Sequence, residues 1–244
     1  MEFIEKGVPE IGPAFLEPTE FFDFDREPVR AFAYEAAAGA TTAKDKAVRL
    51  YYAVRDGIRY DPYRIRLERD LFKASSVLAA KAGFCLPKAN LLVACCRAVG
   101  IAAGIGLSDV MNHLCTERLA HIMGGRDLFL HHGYAVIHID GHWVKAAPAF
   151  NIELCEKFDV LPTEFDGESH ALFQELDARG RRHMEYVADH GIWSDFPFDR
   201  VAADFSEYYP ESFYVDAERA RANEEFDARK HATARAFEDE KPVA

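Results

Sequence analysis

Positive charge is in short supply in this chain. Its 29 Lys and Arg residues face 41 Asp and Glu, for a net charge of −12. Non-specific nucleic-acid binding needs clustered Lys and Arg to displace counterions, so no nucleic-acid partner is expected. An anionic membrane surface would repel the same charge, and no membrane partner is expected either. Long apolar runs are missing: none approaches the ~20 residues that cross a bilayer. The start, Met-Glu-Phe-Ile-Glu-Lys-Gly, carries acids and no continuous apolar stretch, so no secretory leader is read there. Cysteine is sparse and odd in number: Cys85, Cys95, Cys96, Cys115 and Cys155. Three of these fall in or at one apolar stretch, which argues against a disulfide framework and for a reduced, cytoplasmic setting. No His/Cys spacing matches a structural zinc pattern, and Gly124-Gly125-Arg126 lacks the Lys-Ser/Thr of a P-loop. No metal and no cofactor are therefore expected.

The hydrophobic share of 49% and charged share of 29% are those of an ordinary globular protein. No repeat, low-complexity tract or linker divides the chain, so residues 1–244 read as one domain. Residues 1–26 form an irregular arm. Pro28 to Ala38 reads as a helix. Thr42 and Asp45 form a capping pair for a second helix, Ala43 to Asp56, which Gly57 closes. Ile58 to Tyr60 reads as extended, and Val77 to Lys81 as a short helix. Ile101 to Leu107, apolar and rich in Gly and Ala, reads as a central strand. Residues 108–131 read as a long loop with one short helix. Beyond Phe150 the pattern turns helical and loop-like, ending in an Ala/Glu/Arg-rich helix from Ala217 to Phe237.

The segment Gly83-Phe84-Cys85-Leu86-Pro87-Lys88 places a thiol at a helix start. Pro87 suits a first helical turn, and the apolar run from Ala89 continues to a stop at Gly100. The free N–H groups and positive dipole end at such a site favour a thiolate, which is the nucleophilic form of cysteine. Lys88, one turn on, is expected to add positive charge to the same face.

Asp140-Gly141 between Tyr-Ala-Val-Ile-His-Ile and His-Trp-Val-Lys-Ala signals a β-hairpin. With those two residues as the turn, Ile139 pairs with His142 and His138 with Trp143. Side-chain alternation then puts His132, Tyr134, Val136 and His138 on one face, with Trp143, Lys145 and Ala147. Ala147 stands where a carboxylate could have oriented the His132 imidazole. A register slip of one residue would exchange His132 for His131.

Taken in order, Leu50 to Tyr60, Gly83-Phe84-Cys85, Leu91 to Ile101 and His132 to Asn151 resemble the transglutaminase-like superfamily of papain-type cysteine enzymes. The resemblance covers roughly residues 44–151, leaving an N-terminal arm and helix (1–43) and a C-terminal helical extension (152–244). It implies an α+β fold, with a Cys-bearing helix packed on an antiparallel sheet that carries the His. It also implies that Cys85 is the nucleophile and His132 the base. The family's Asp, in a Trp-x-x-x-Asp-Pro pattern, falls on Ala147, just before Pro148.

Cysteine-dependent hydrolysis or acyl transfer on a small or peptide-like carbonyl substrate follows from those assignments. Asn151 has the strand parity of Ala147 and is the first candidate for the third catalytic member, with Glu153 and Asp109 behind it. Tyr134, Trp143 and Lys88 are candidates for substrate binding. Two alternatives stay open. One is acyl transfer that makes or breaks a carbon–carbon bond beside a carbonyl. The other is a catalytically silent binding module on the same scaffold. The oligomeric state is not legible in the sequence.

Overall fold

The computed structural model describes residues 12–113, 115–173, 176–209 and 237–243. The helix expected from Ala217 onward lies outside the described residues, apart from Phe237. The fold is α+β, as the family resemblance implied.

Three helices come first. α1 (Glu27–Ala36) opens with Pro at its first turn. α2 (Ala43–Gly57) is capped by Thr42, whose Oγ1 accepts the Asp45 N–H at 3.0 Å. α3 (Ala74–Ala80) begins where the Asp23 carboxylate, from the N-terminal arm, accepts the Ser75 N–H at 2.9 Å. Two short parallel strands, β1 (Arg59–Tyr60) and β2 (Ala82–Gly83), tie the end of α2 to the approach of the next helix. That helix, α4 (Cys85–Ala98), is buried almost all round, as its uniformly apolar sequence requires. Gly100, at φ +83°, ends it.

The sheet follows. β3 (Ala103–Asn112) is its central strand. β4 (Cys115–Thr116) and α5 (Glu117–Ile122) fill the connection to β5 (Leu128–Ile139). Much of the segment read as loop is thus strand, because β3 and β5 both run past the apolar stretches that announced them. β6 (His142–Ala146) returns from the Asp140-Gly141 turn, whose two residues have φ of +49° and +90°. Ile139 pairs with His142 and His138 with Trp143, the register expected from the turn. After Ala146 the chain leaves β5, and the Ala147 N–H donates to the Ala171 carbonyl.

The C-terminal part carries the expected helices, α6 (Ile152–Phe158) and α7 (Phe198–Tyr208), and one element that was not expected. This is β7 (Met184–Trp193), which pairs antiparallel with β3 and gives a sheet order β6-β5-β3-β7. A last short strand, β8 (Pro242–Val243), pairs with β4.

The faces of the sheet differ. Leu107, Ala135 and Ile137 join the main core under α4, which extends through Phe21 and Phe22 of the arm to Phe237. Tyr134, Val136 and Ala147 form a smaller cluster on the opposite face, with Trp143, Leu172 and Ile192 packed on it. Gly106 faces that cluster. A Cβ there would lie 2.1 Å from the Tyr134 ring, so the ring occupies the space that a side chain would fill.

Candidate active site

Cys85 is the first residue of α4, and Phe84 before it is extended. The helix start reaches the sheet because β5 has glycine at the meeting point. A Cβ on Gly133 would lie 2.7 Å from Leu86 Cδ2 and 3.1 Å from Leu86 Cα. The close approach brings the N–H of Gly133, with those of Leu86 and Cys85 itself, near enough to the Cys85 sulfur to favour its charged form. His132 immediately precedes Gly133, so the strand that delivers this N–H also delivers the imidazole.

His132 is buried, and its Nε2 has no hydrogen-bond partner among the described residues. Its ring packs against Phe173 at 4.8 Å and edge-on to Tyr186 at 5.9 Å between centroids. The Tyr186 hydroxyl accepts the Phe173 N–H and lies within electrostatic reach of the Cys85 sulfur. Tyr186 and Phe173 therefore join the site. Their sequence neighbourhoods carried no signal beyond aromaticity.

Burial dominates the electrostatics. The Cys85 thiol is pushed up to about 11 by desolvation, and the three N–H groups offset only part of that cost. Desolvation brings the His132 imidazole down to about 3. Each group therefore rests neutral, and Cys85 is not the thiolate expected from the helix start alone. Alkylation of Cys85 by iodoacetamide at pH 7 should consequently run roughly a hundred-fold slower than that of free cysteine. It should rise about tenfold per pH unit toward pH 10. A fast, pH-independent rate from pH 5 upward, measured by mass spectrometry, would show a pre-formed ion pair instead.

Lys88 does not face the thiol. It is fully buried, and its Nζ donates to the carbonyls of Arg55 and Ile58 at 2.9 and 2.5 Å, at the C-terminal end of α2. It serves as an internal cap for that helix and contacts no substrate space. Burial lowers it to about 7. Between pH 7 and its unfolded value near 10.4, the unfolded lysine holds a proton that the folded one has lost. Wild-type stability should therefore rise with pH relative to Lys88→Met across that window, by roughly 1.4 kcal/mol per pH unit, and run parallel to it below pH 7. Urea titrations at pH 6, 8 and 10 measure this. Parallel curves throughout would contradict it.

The other expected residues are placed as follows. Asn151 precedes α6. Its Oδ1 accepts the Tyr60 N–H at 3.1 Å and its Nδ2 donates to Glu153 at 3.2 Å. Both contacts fix the β1–α6 junction, and neither reaches His132. Asp109 likewise bonds the His131 backbone N–H rather than the His132 ring. Tyr134 is fully buried, with the Lys145 ammonium 4.9 Å from its ring centroid and its hydroxyl 3.3 Å from Ser108 Oγ. Trp143 packs on Phe15 and His138, six residues along β5 from His132, or about 20 Å. The structure does not bring Trp143 to the thiol.

His131 and His132 are separated by a bulge. Ser108 pairs with His132 but Val110 with Phe129, which leaves an extra residue on β5, and His131 has a φ of +53°. His131 turns to Asp204 and His190 while His132 adjoins Gly133. Beside the site, a cleft of about 350 Å³ is walled by Gly83, Phe84 and Pro87, which flank Cys85, together with Asp61, Tyr63 and Arg64. No described helix is long and apolar enough to cross a membrane.

The core profile of the transglutaminase-like superfamily matches residues 30–148. A provisionally assigned cysteine protease from Cytophaga hutchinsonii is similar over 79% of this chain and 57% of its own, at 16% identity and a TM-score of 0.45. A provisionally assigned protease from Parabacteroides distasonis is similar over 52% of this chain and 26% of its own, at 16% identity and a TM-score of 0.35. The chain thus spans little more than half the length of the first and about a quarter of the second. No curated protein sequence matches the chain. Residues 30–148 form a domain of the transglutaminase-like superfamily.

Proposed function

We propose that this protein is a cysteine-dependent hydrolase or acyltransferase acting on a small or peptide-like carbonyl substrate. The observation that carries the reading is the meeting of the α4 start with β5. The half-buried Cys85 sulfur sits at that meeting point with the Gly133 N–H close to it, and the preceding residue of β5 is His132, whose buried Nε2 is unpartnered among the described residues.

The chemistry follows from the neutral pair. As a carbonyl carbon approaches, the Cys85 S–H proton passes to His132 Nε2. The sulfur forms the S–C bond, and the carbonyl π pair moves to oxygen. Because both groups resist charge in isolation, proton transfer accompanies attack instead of preceding it. Collapse of the oxyanion re-forms C=O and breaks the bond to the leaving group, which takes the proton from His132. Water, or an acceptor nucleophile, then gives its proton to His132 and bonds to the acyl carbon, and the S–C bond breaks as the sulfur takes that proton back from His132.

Among the described residues, no carboxylate is hydrogen-bonded to the His132 imidazole. Ala147 occupies the family's Asp position, and the packing of Phe173 and Tyr186 restricts the ring instead. That absence, and the burial of both groups, are also what a silent binding module would display. Incubation with a panel of thioesters, activated amides and β-diketones, followed by intact-mass analysis, separates the readings. The expected result is an acyl adduct on Cys85 that forms and decays. No adduct with any member of the panel would favour the module.

A further inference from the structure

A second cluster of chemistry-bearing side chains lies on the other side of the β5 bulge. Asp109 on β3, His131 on β5 and His190 on β7 come from three adjacent strands, with Asp109 in the middle. One ligand atom from each lies within 4.8 Å of the others. Asp109 Oδ1 is 2.8 Å from His190 Nε2, and the two imidazole rings are 4.6 Å apart.

The protonation pattern is suited to a cation. His131 Nε2 lies 2.6 Å from Asp204 Oδ2 on α7. A carboxylate accepts only, so that nitrogen carries the hydrogen, and Nδ1 is left with its lone pair. His131 is 2% exposed, and its Nδ1 has no hydrogen-bond partner among the described residues. Carboxylate to imidazole to metal is the arrangement by which proteins fix a ligating histidine's tautomer and direction. The β5 bulge sets its direction, with His131 in the left-handed region at φ +53°.

We propose that Asp109, His131 and His190 bind a divalent transition-metal ion of the zinc class, with His131 ligating through Nδ1 under the hold of Asp204. Two imidazoles and one carboxylate suit zinc and its neighbours, whereas magnesium and calcium select all-oxygen sets. Three protein ligands leave a coordination position open. The ion would pin β3, β5 and β7 together one residue before His132. None of this was legible locally, because the three residues are far apart in sequence and no paired motif announces them.

The test uses the full chain stripped by a chelator. Zn²⁺ is titrated in competition with a chromophoric chelator, and Co²⁺ is followed by its visible absorption. The expected result is one ion per chain, with a Co²⁺ spectrum free of sulfur-to-metal charge transfer. Affinity should fall at least 100-fold in His190→Ala and Asp109→Asn, and 10- to 100-fold in Asp204→Ala. It should be unchanged in Cys85→Ala, which excludes a site at the thiol. Asp204 is substantially exposed on α7, so its variant reports even where a strand variant fails to fold. Absence of saturable binding would overturn the proposal. So would affinity indifferent to both His190→Ala and Asp204→Ala, or a thiolate charge-transfer band.

Discussion

Cys85→Ala and His132→Gln should each lower turnover about 1,000-fold or more on any substrate that acylates Cys85, with the fold intact. Removal of the sulfur leaves nothing to form the covalent bond. Removal of the imidazole strands the S–H proton in a site where the thiol stays protonated to about 11. General-base loss alone is worth about 10²–10⁴. The thiol's raised value places the effect toward the upper end here. Because the two groups act as one unit, the double variant should be no slower than the worse single variant. Neither change should move the thermal midpoint by more than a few degrees: Cys85 is half-buried at a helix start, and the His132 Nε2 makes no bond to lose among the described residues. Steady-state kinetics and melting curves on the three variants measure this. Turnover within tenfold of wild type in Cys85→Ala would remove the enzyme reading and leave the binding module.

Gly106→Ala should be the most destabilising single methyl that can be added to the sheet. Its Cβ would lie 2.1, 2.5 and 2.8 Å from three atoms of the Tyr134 ring. The ring cannot retreat. It is fully buried and packs with Val136 and Ala147, the Lys145 ammonium stands near its ring, and its hydroxyl lies 3.3 Å from Ser108 Oγ. Overpacking of this kind costs about 3 kcal/mol or more, which at this chain length lowers the melting midpoint by roughly 6–12 °C. A double-mutant cycle identifies the cause. In a Tyr134→Ala background, which itself loses stability to a cavity, the same Gly106→Ala change should cost under about 1 kcal/mol. Equal costs in both backgrounds would place the strain elsewhere.

The parts of the molecule that were legible in advance are those governed by local rules. Thr42 and Asp45 announce a helix start, Gly100 a helix stop, and Asp140-Gly141 a hairpin whose register follows from arithmetic. The placement of Cys85 at the head of α4 was also local. Its ionisation was not, because a helix start favours thiolate only while water or fixed charge supports it. Here the strand comes close enough, through Gly133, to desolvate the sulfur in part, and that cost outweighs the helix start. Lys88 shows the same failure in another form. Its one-turn spacing from Cys85 gave the right helix and the wrong neighbours, since its long side chain follows α2 into the core. The parity that linked Asn151 to Ala147 presumes a continuous ladder, and β6 leaves β5 after Ala146. β7 was missed because its sequence, Met-Glu-Tyr-Val-Ala-Asp-His-Gly-Ile-Trp, has alternating exposure but only weak hydrophobic alternation. What makes it a strand is the open side of β3.

That last pairing separates the unit recognisable by descent from the unit able to fold. The superfamily domain closes at residue 148, yet its central strand finds one of its two neighbours only at residues 184–193. A fragment cut at the domain boundary would leave β3 with a bare row of N–H and C=O groups, a template for strand addition by any other chain. The C-terminal segment thus acts as a built-in guard against self-association, and a fragment meant to stay monomeric must carry it.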